Sequence, residues 1–326
     1  MSRPIRKILV IKLGALGDFV LAMAAMKKIR QSHPDAHITL LTTPPYAALA
    51  THSPYFNAVE ADGRPLTFHD WWSLVKRLRK ARYDRVYDLQ TSSRSSSLRA
   101  ALGPFPPQWS GIAIGASHRH TNNNRDYMHT LERQADQLRM AGIWPDAPTE
   151  PGSAPPPDLS WILRQYKEPR PIAGALPPPP FALLVPGTSA KRPEKRWPAE
   201  KFGELAAALR RGGLDVVVVG GPQESALARA IQEYNSSARD LTGRTDFAQI
   251  ALLGARAALV VGNDTGPLHL IAAAGAPTLA LFSSASDPNL CGPRGHATVL
   301  QAANLNDLPV DMVLRAAQSL LLGSKA

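Results

Sequence analysis

Four short segments of this chain concentrate residue types that hold anions or move protons. In Val261-Gly262-Asn263-Asp264-Thr265-Gly266-Pro267-Leu268-His269, an apolar run gives way to a carboxylate, a hydroxyl, a glycine and a proline. That order fits the end of a strand and the start of a helix, where unpaired backbone N–H groups make an anion seat. Asp or Thr at such a place is equally an ordinary helix cap, worth about 1 kcal/mol with no ligand. A second segment runs Val185-Pro186-Gly187-Thr188-Ser189-Ala190-Lys191-Arg192-Pro193-Glu194-Lys195-Arg196-Trp197-Pro198. It suits a diphosphate: Gly187 permits backbone approach, Thr188 or Ser189 can donate, and a hydrogen bond to a charged group contributes about 1.5 to 3 kcal/mol. A mobile basic surface loop is the alternative. In the third, Gly220-Gly221-Pro222-Gln223-Glu224, Glu224 is placed either to accept ribose hydroxyls or to serve as a first-turn helix acid. The fourth, Lys12-Leu13-Gly14-Ala15-Leu16-Gly17-Asp18, is a glycine turn ending on a carboxylate that by itself reads as a cap.

These segments need elements to hold them. Residues 8–11 read as a short buried strand leading into the Gly14 turn, and Phe19, Met23, Met26 and Ile29 then recur at helical spacing. Lys27, Lys28 and Arg30 close that helix favourably against its dipole. A strand at 38–41, a helix near 71–80, a strand at 85–89 and a helix around 130–141 follow. After residue 180 the alternation restarts with strands at 182–185, 215–219, 258–261 and 278–282 and helices at 199–211, 223–234 and 266–274. Short Val- and Leu-rich strands without polar alternation suit parallel sheets buried on both faces. Such doubly wound sheets bind ligands beyond the carboxyl ends of their strands, where all four segments fall.

Ten prolines between residues 151 and 180 deny that stretch regular hydrogen-bond donors. It reads as an interdomain linker, which predicts an N-terminal domain at 1–165, a Pro-rich linker at 166–180 and a C-terminal domain at 181–326, with a short helical patch at 161–166. A chain of 326 residues is long enough for two domains of ordinary size. The helical tail at 310–322, with apolar Val313, Ala316, Ala317 and Leu320, is expected to cross back onto the N-terminal domain.

Composition narrows the class. Hydrophobic residues make up 44% and charged residues 19%, too apolar for a disordered chain. Cys291 is the single cysteine, so no internal disulfide can form. No apolar run approaches the ~18 residues of a membrane-spanning helix. The basic and then apolar start is not read as a signal peptide, because Lys12 interrupts the run and Asp18 follows it, so a cytoplasmic location is expected. The net charge of +11 is concentrated in residues 1–165, which carry +8. That suits an anionic small acceptor or membrane face; nucleic acid is disfavoured by the lack of zinc-finger, aromatic RNA-binding or arginine-rich motifs. His118 and His120 are expected in a surface loop rather than on a metal, and the region 109–125 matches no assignable motif.

The ordered set of segments resembles glycosyltransferase family 9, the bacterial heptosyltransferases of lipopolysaccharide core synthesis, and the likeness runs over nearly the whole chain. The resemblance implies an α/β protein of GT-B type, two doubly wound Rossmann-like domains facing a central cleft. It further implies an inverting glycosyltransferase that moves a heptose from ADP-heptose, or another sugar nucleotide, to an acidic lipid A/Kdo-type acceptor. On this likeness Asp18 is the general base, Lys195 the phosphate-binding lysine, with Lys191 the alternative, Glu224 the ribose contact and Asp264 the donor-sugar contact. Thr265, Gly266 and His269, with Thr188 and Ser189, complete the diphosphate site, while Lys12, Arg94, His129 and Arg133 are expected on the acceptor. No cofactor or obligatory metal is expected, and the partners implied are the nucleotide sugar and an anionic glycolipid, with peripheral contact at the inner membrane face and a monomeric enzyme.

The assignment agrees with the chemistry. A carboxylate on a rigid turn can take the acceptor's proton, and a lysine with helix-start amides can meet the charge of the departing diphosphate. Asp264 would repel phosphate, so it reads as a sugar contact. A sugar-nucleotide epimerase of the same plan and a non-catalytic binding homologue are the competing readings. A nicotinamide dehydrogenase is disfavoured because no G-x-G-x-x-G run follows either leading strand.

Overall fold

The computed structural model describes residues 4–165 and 176–323. The chain divides into two compact units, residues 1–157 and 158–326. The first contains β1 (Lys7–Ile11), α1 (Leu16–Leu21), α2 (Met23–Ser32), β2 (His37–Leu41), α3 (Pro44–Thr51), β3 (Ala58–Glu60), α4 (Phe68–Ala81), β4 (Arg85–Asp88), α5 (Ser93–Ala101), β5 (Gln108–Gly111), β6 (His118–Arg119) and α6 (Thr130–Met140). The second contains α7 (Ser160–Gln165), β7 (Phe181–Val185), α8 (Ala199–Arg211), β8 (Asp215–Val218), α9 (Ser225–Tyr234), β9 (Arg239–Asp240), α10 (Phe247–Arg256), β10 (Leu259–Asn263), α11 (Gly266–Ala273), β11 (Thr278–Phe282), α12 (Pro288–Cys291), β12 (Ala297–Gln301) and α13 (Val310–Gly323).

Each unit has a six-stranded, all-parallel sheet, ordered β3-β2-β1-β4-β5-β6 and β12-β11-β10-β7-β8-β9. Counted from its own first strand, each runs third, second, first, fourth, fifth, sixth. The leading strands are central, which explains why Ile8 to Ile11 and Phe181 to Val185 are apolar without interruption: helices cover both faces and no side chain reaches water. In each sheet the strand order reverses between the two central strands, β1 and β4 or β7 and β10. Crossovers leave in opposite directions there and open a crevice at the carboxyl ends.

Two expectations change. The single helix expected through Phe19 and Ile29 is two, α1 and α2, joined at Ala22, whose N–H reaches back to the Asp18 carbonyl. Helix α7 belongs to the second unit rather than to a domain ending at 165, because Trp161 and Ile162 are buried where it packs on α10. Of the expected linker, 166–175 lies outside the described residues. Helix α13 packs on α8, β10 and β11, and Val313 and Ala317 enter the second unit's core beside Leu205, Leu209 and Leu281. Its apolar stripe is satisfied there.

Region 109–125 is strand and anchored loop. Trp109 is fully buried on β5, and His118 lies on β6. His120, expected at the surface, is buried with Nε2 2.9 Å from Asp136 Oδ2, which also accepts from Asn122 Nδ2 at 2.7 Å. Burial holds the imidazole below its ordinary pKa despite that carboxylate, so the neutral ring donates to Asp136. The pair fastens the β6 loop to α6; among the described residues no group of three or more His, Cys, Asp or Glu is placed to hold a metal ion. Among those residues, too, no helix is long and apolar enough to cross a membrane.

Candidate functional site

At the β7–β10 crevice the second and third sequence segments meet the first. Asn263, fully buried at the end of β10, accepts from Trp197 N–H at 3.0 Å and donates to the Pro186 carbonyl at 2.8 Å. It thereby clamps both ends of the loop that follows β7. The Trp197 ring, also fully buried, stacks edge-on against Phe202 and donates Nε1–H to the Leu308 carbonyl at 3.1 Å. With the loop end fixed, Lys195 is delivered to Asp264: Nζ lies 2.7 Å from Oδ2.

Asp264 is the hub of a small network. Ser286 Oγ donates to Oδ2 at 2.7 Å, and His269 Nε2, one helical turn into α11, lies 3.4 Å from Oδ1. Burial alone would raise this carboxyl, but hydrogen bonds from His269, Lys195 and Ser286 overcome it and hold the group well below the usual carboxylate range. Thr265 precedes α11 in extended conformation and its hydroxyl makes no side-chain cap bond; Pro267 has no N–H, and Leu268 N–H donates to the Thr265 carbonyl at 3.1 Å. Thr188 is buried with its hydroxyl 3.4 Å from the Arg192 carbonyl, whereas Ser189 and Lys191 are exposed.

Glu224 occupies a cradle of glycine. Its Oε2 accepts from Gly221 N–H at 2.7 Å. A Cβ at Gly187 would lie 1.7 Å from Glu224 Oε1, and one at Gly220 would lie 2.4 Å from Oε2. The absence of a side chain at Gly187 thus leaves room for the Glu224 carboxylate. Burial raises the Glu224 carboxyl, with Gly221 N–H and the Arg196 charge acting against it.

The β1–β4 crevice of the first unit holds a second, different arrangement. A cavity of about 270 Å³ is lined by Lys12, Asp18, Gln90, Arg125 and Arg133 among others. Gly14 sits at φ +108°, and a Cβ there would lie 2.4 Å from the Tyr46 ring, so only glycine fits the turn. Asp18 is half-buried in the first turn of α1 rather than before it. Lys12 is buried with Nζ 3.3 Å from the Leu89 carbonyl. Burial lowers its pKa, Asp18 and Asp88 pull it up, and Arg133 adds to the lowering. Asp88 is fully buried at the end of β4; Oδ1 accepts from Gln90 and Thr91 N–H at 3.1 and 3.0 Å, yet burial pushes its carboxyl up to about 6.

The structure thus gathers Lys195, Asp264, Thr265, Gly266 and His269 at one crevice with Glu224 and Thr188 on neighbouring loops of the same unit, and Lys12, Asp18 and Arg133 around one cavity in the other. Arg94 is exposed on the first turn of α5 and His129 is buried at the start of α6; neither lines that cavity. His129 Nδ1 takes the Leu131 N–H at 3.2 Å and lies 3.2 Å from Glu132 Oε2, so it secures the helix that carries Arg133. Sequence reasoning passed over Asn263, Ser286, Asp88, Gln90 and Arg125. Asp88 and Gln90 had a signal, a carboxylate and an amide directly after the apolar strand; Ser286 lies in a Ser-rich loop with none.

A family model described as glycosyltransferase family 9 (heptosyltransferase) matches residues 71–311. Lipopolysaccharide heptosyltransferase 2 of Escherichia coli K12 is 27% identical over 318 residues, spanning 89% of this chain and 86% of that protein. The solved structure of the E. coli ADP-heptose lipopolysaccharide heptosyltransferase II superposes with a TM-score of 0.78 at 25% identity, covering 98% of this chain and all of that one (100%). A family 9 glycosyl transferase from Veillonella parvula shares the fold with a TM-score of 0.77 at 22% identity over 98% and 97% of the two chains.

Proposed function

Because the chain belongs to glycosyltransferase family 9, we propose that it transfers a heptose, with inversion, from ADP-heptose to an acidic lipopolysaccharide core acceptor of the Kdo–lipid A type. It is a glycosyltransferase of the lipopolysaccharide heptosyltransferase family, with a GT-B fold of two doubly wound units. Asp18 takes the proton of the acceptor hydroxyl as that oxygen attacks the anomeric carbon. The bond from that carbon to the diphosphate breaks, and ADP leaves with the electron pair. Lys195 and the positive end of the α11 dipole meet the charge that develops on the leaving group, so the scheme calls for no metal. Thr188, Ser189, Thr265 and His269 complete the diphosphate seat, and Glu224 accepts from the ribose hydroxyls. Asp264, kept ionised, turns to the sugar rather than to phosphate.

On the acceptor side Lys12 and Arg133 hold the acid group, Arg94 is available from the surface, and His129 acts through α6. The excess of +8 in residues 1–165 favours an anionic lipid surface, each cation contributing about 1 kcal/mol near it, which supports peripheral work at the inner face of the membrane. The observation that carries this reading is the cation-lined cavity onto which Asp18 opens. An epimerase acts on the donor alone and has no use for such a cavity. Incubation with ADP-heptose and a Kdo–lipid A acceptor, followed by mass spectrometry, is expected to give a product heavier by one heptose together with ADP. An epimerised nucleotude sugar from donor alone, or no thermal stabilisation by ADP, UDP or GDP, would sink the proposal.

A further inference from the structure

We infer that Gln90 is an acceptor-binding residue whose side-chain amide serves two partners at once: Oε1 fixes the turn that carries Asp18, and Nε2 donates to a carboxylate or hydroxyl oxygen of the acceptor. The inference rests on the acceptor reading of the first unit's cavity. Its starting point is the 2.8 Å bond from Leu13 N–H to Gln90 Oε1. A backbone N–H only donates, so the atom facing it is the carbonyl oxygen and the orientation of the amide is settled. The other end, Nε2, carries two donors and makes no hydrogen bond within the described residues, while the side chain lines the cavity with Lys12, Asp18 and Arg133.

The side chain is also held in advance of any ligand. Asp88, fully buried, grips the amides of Gln90 and Thr91, and Thr91 takes a φ of +45° that the loop would not hold unaided. Gln137, another residue of the same wall, shows the contrast: its Nε2 is committed to the Asp88 carbonyl at 3.0 Å and to Ser110 Oγ at 3.3 Å. Gln90 therefore presents a fixed, neutral donor between cations. A donor of that kind sets the angle of an oxygen that lysine and arginine attract only as point and fork charges.

Gln90→Glu keeps an oxygen for Leu13 N–H and removes the Nε2 donors; Gln90→Leu removes both functions. Steady-state transfer with ADP-heptose and Kdo–lipid A, and calorimetric titration of the ADP-loaded enzyme with the same acceptor, read the two roles apart. For Gln90→Glu the acceptor KM and Kd are expected to rise by at least about tenfold, with donor KM and Tm as in wild type. Gln90→Leu should show the same loss and a lower Tm. An acceptor KM and Kd within twofold of wild type for Gln90→Glu, or a fall in Tm and kcat without a change in acceptor Kd, overturns the inference while leaving the transferase reading intact. Wild type that binds the acceptor through Gln90 yet transfers no heptose refutes the transferase reading and leaves this one standing.

Discussion

The two sheets share one strand order, and each puts a buried carboxyl at the end of its fourth strand or one residue beyond, yet the two carboxyls are treated in opposite ways. Asp264 gathers Lys195, Ser286 and His269 and is held ionised well below the ordinary range. Asp88 is given two backbone amides and no close cationic bond, and burial pushes it up to about 6. The difference lies in where the cations go. In the second unit Lys195 is engaged with the Asp264 carboxylate, and on the proposed function an arriving diphosphate would meet that preorganised network and share its lysine. In the first unit the cationic and amide groups of Lys12, Arg133 and Gln90 line an open cavity. On the proposed function, one topology thus supports a closed site for the nucleotide and an open one for a charged acceptor, because the loops after the strands, rather than the strands, decide how the donors are spent.

The comparison breaks if the two sites are not separable. Asp18→Asn should lower kcat by about 10² to 10⁴, the usual weight of a general base, while stabilisation by ADP in a thermal shift stays at its wild-type value; loss of ADP binding would tie Asp18 to the nucleotide instead. Lys195→Met is expected to cost about 10² to 10³ in kcat/KM for the donor, as for other preorganised charge-stabilising groups. Isothermal titration with ADP would weaken in parallel, and the acceptor KM would not move. A changed acceptor KM with intact ADP affinity would reverse the assignment of the two units.

The smallest effect sharpens the contrast between the carboxyls. Asp88 titrates near 6 in the folded protein and near its ordinary 3.8 when unfolded, so on raising the pH the unfolded chain ionises first and the folded state loses stability. That loss starts near pH 4, is complete above about pH 6 and amounts to about 3 kcal/mol. Asp88→Asn retains an oxygen for the Gln90 and Thr91 amides and never ionises. Its stability relative to wild type, from urea unfolding, should therefore rise between pH 4 and pH 7; a flat difference would show that Asp88 is not held at a cost.

Much of this molecule was legible in the chain. Uninterrupted apolar runs such as Ile8 to Ile11 and Phe181 to Val185 can only be strands covered on both faces, and the glycine turns and helix starts behind them mark where doubly wound sheets carry ligands. The roles proposed for Asp18, Lys195, Glu224 and Asp264 rest on a family resemblance carried by the order of four segments, none sufficient alone. Tertiary structure decided the rest. Only the fold shows that Gly187 makes room for Glu224, that Lys195 is delivered to Asp264 by the Asn263 clamp, that α13 belongs to the second unit, and that Gln90 faces the cavity with its amide nitrogen unspent. Those facts depend on which side chains from distant parts of the chain meet. Periodicity and capping are written in neighbouring residues, whereas a hydrogen bond between residues 13 and 90, or 195 and 264, exists only once packing has brought the loops together.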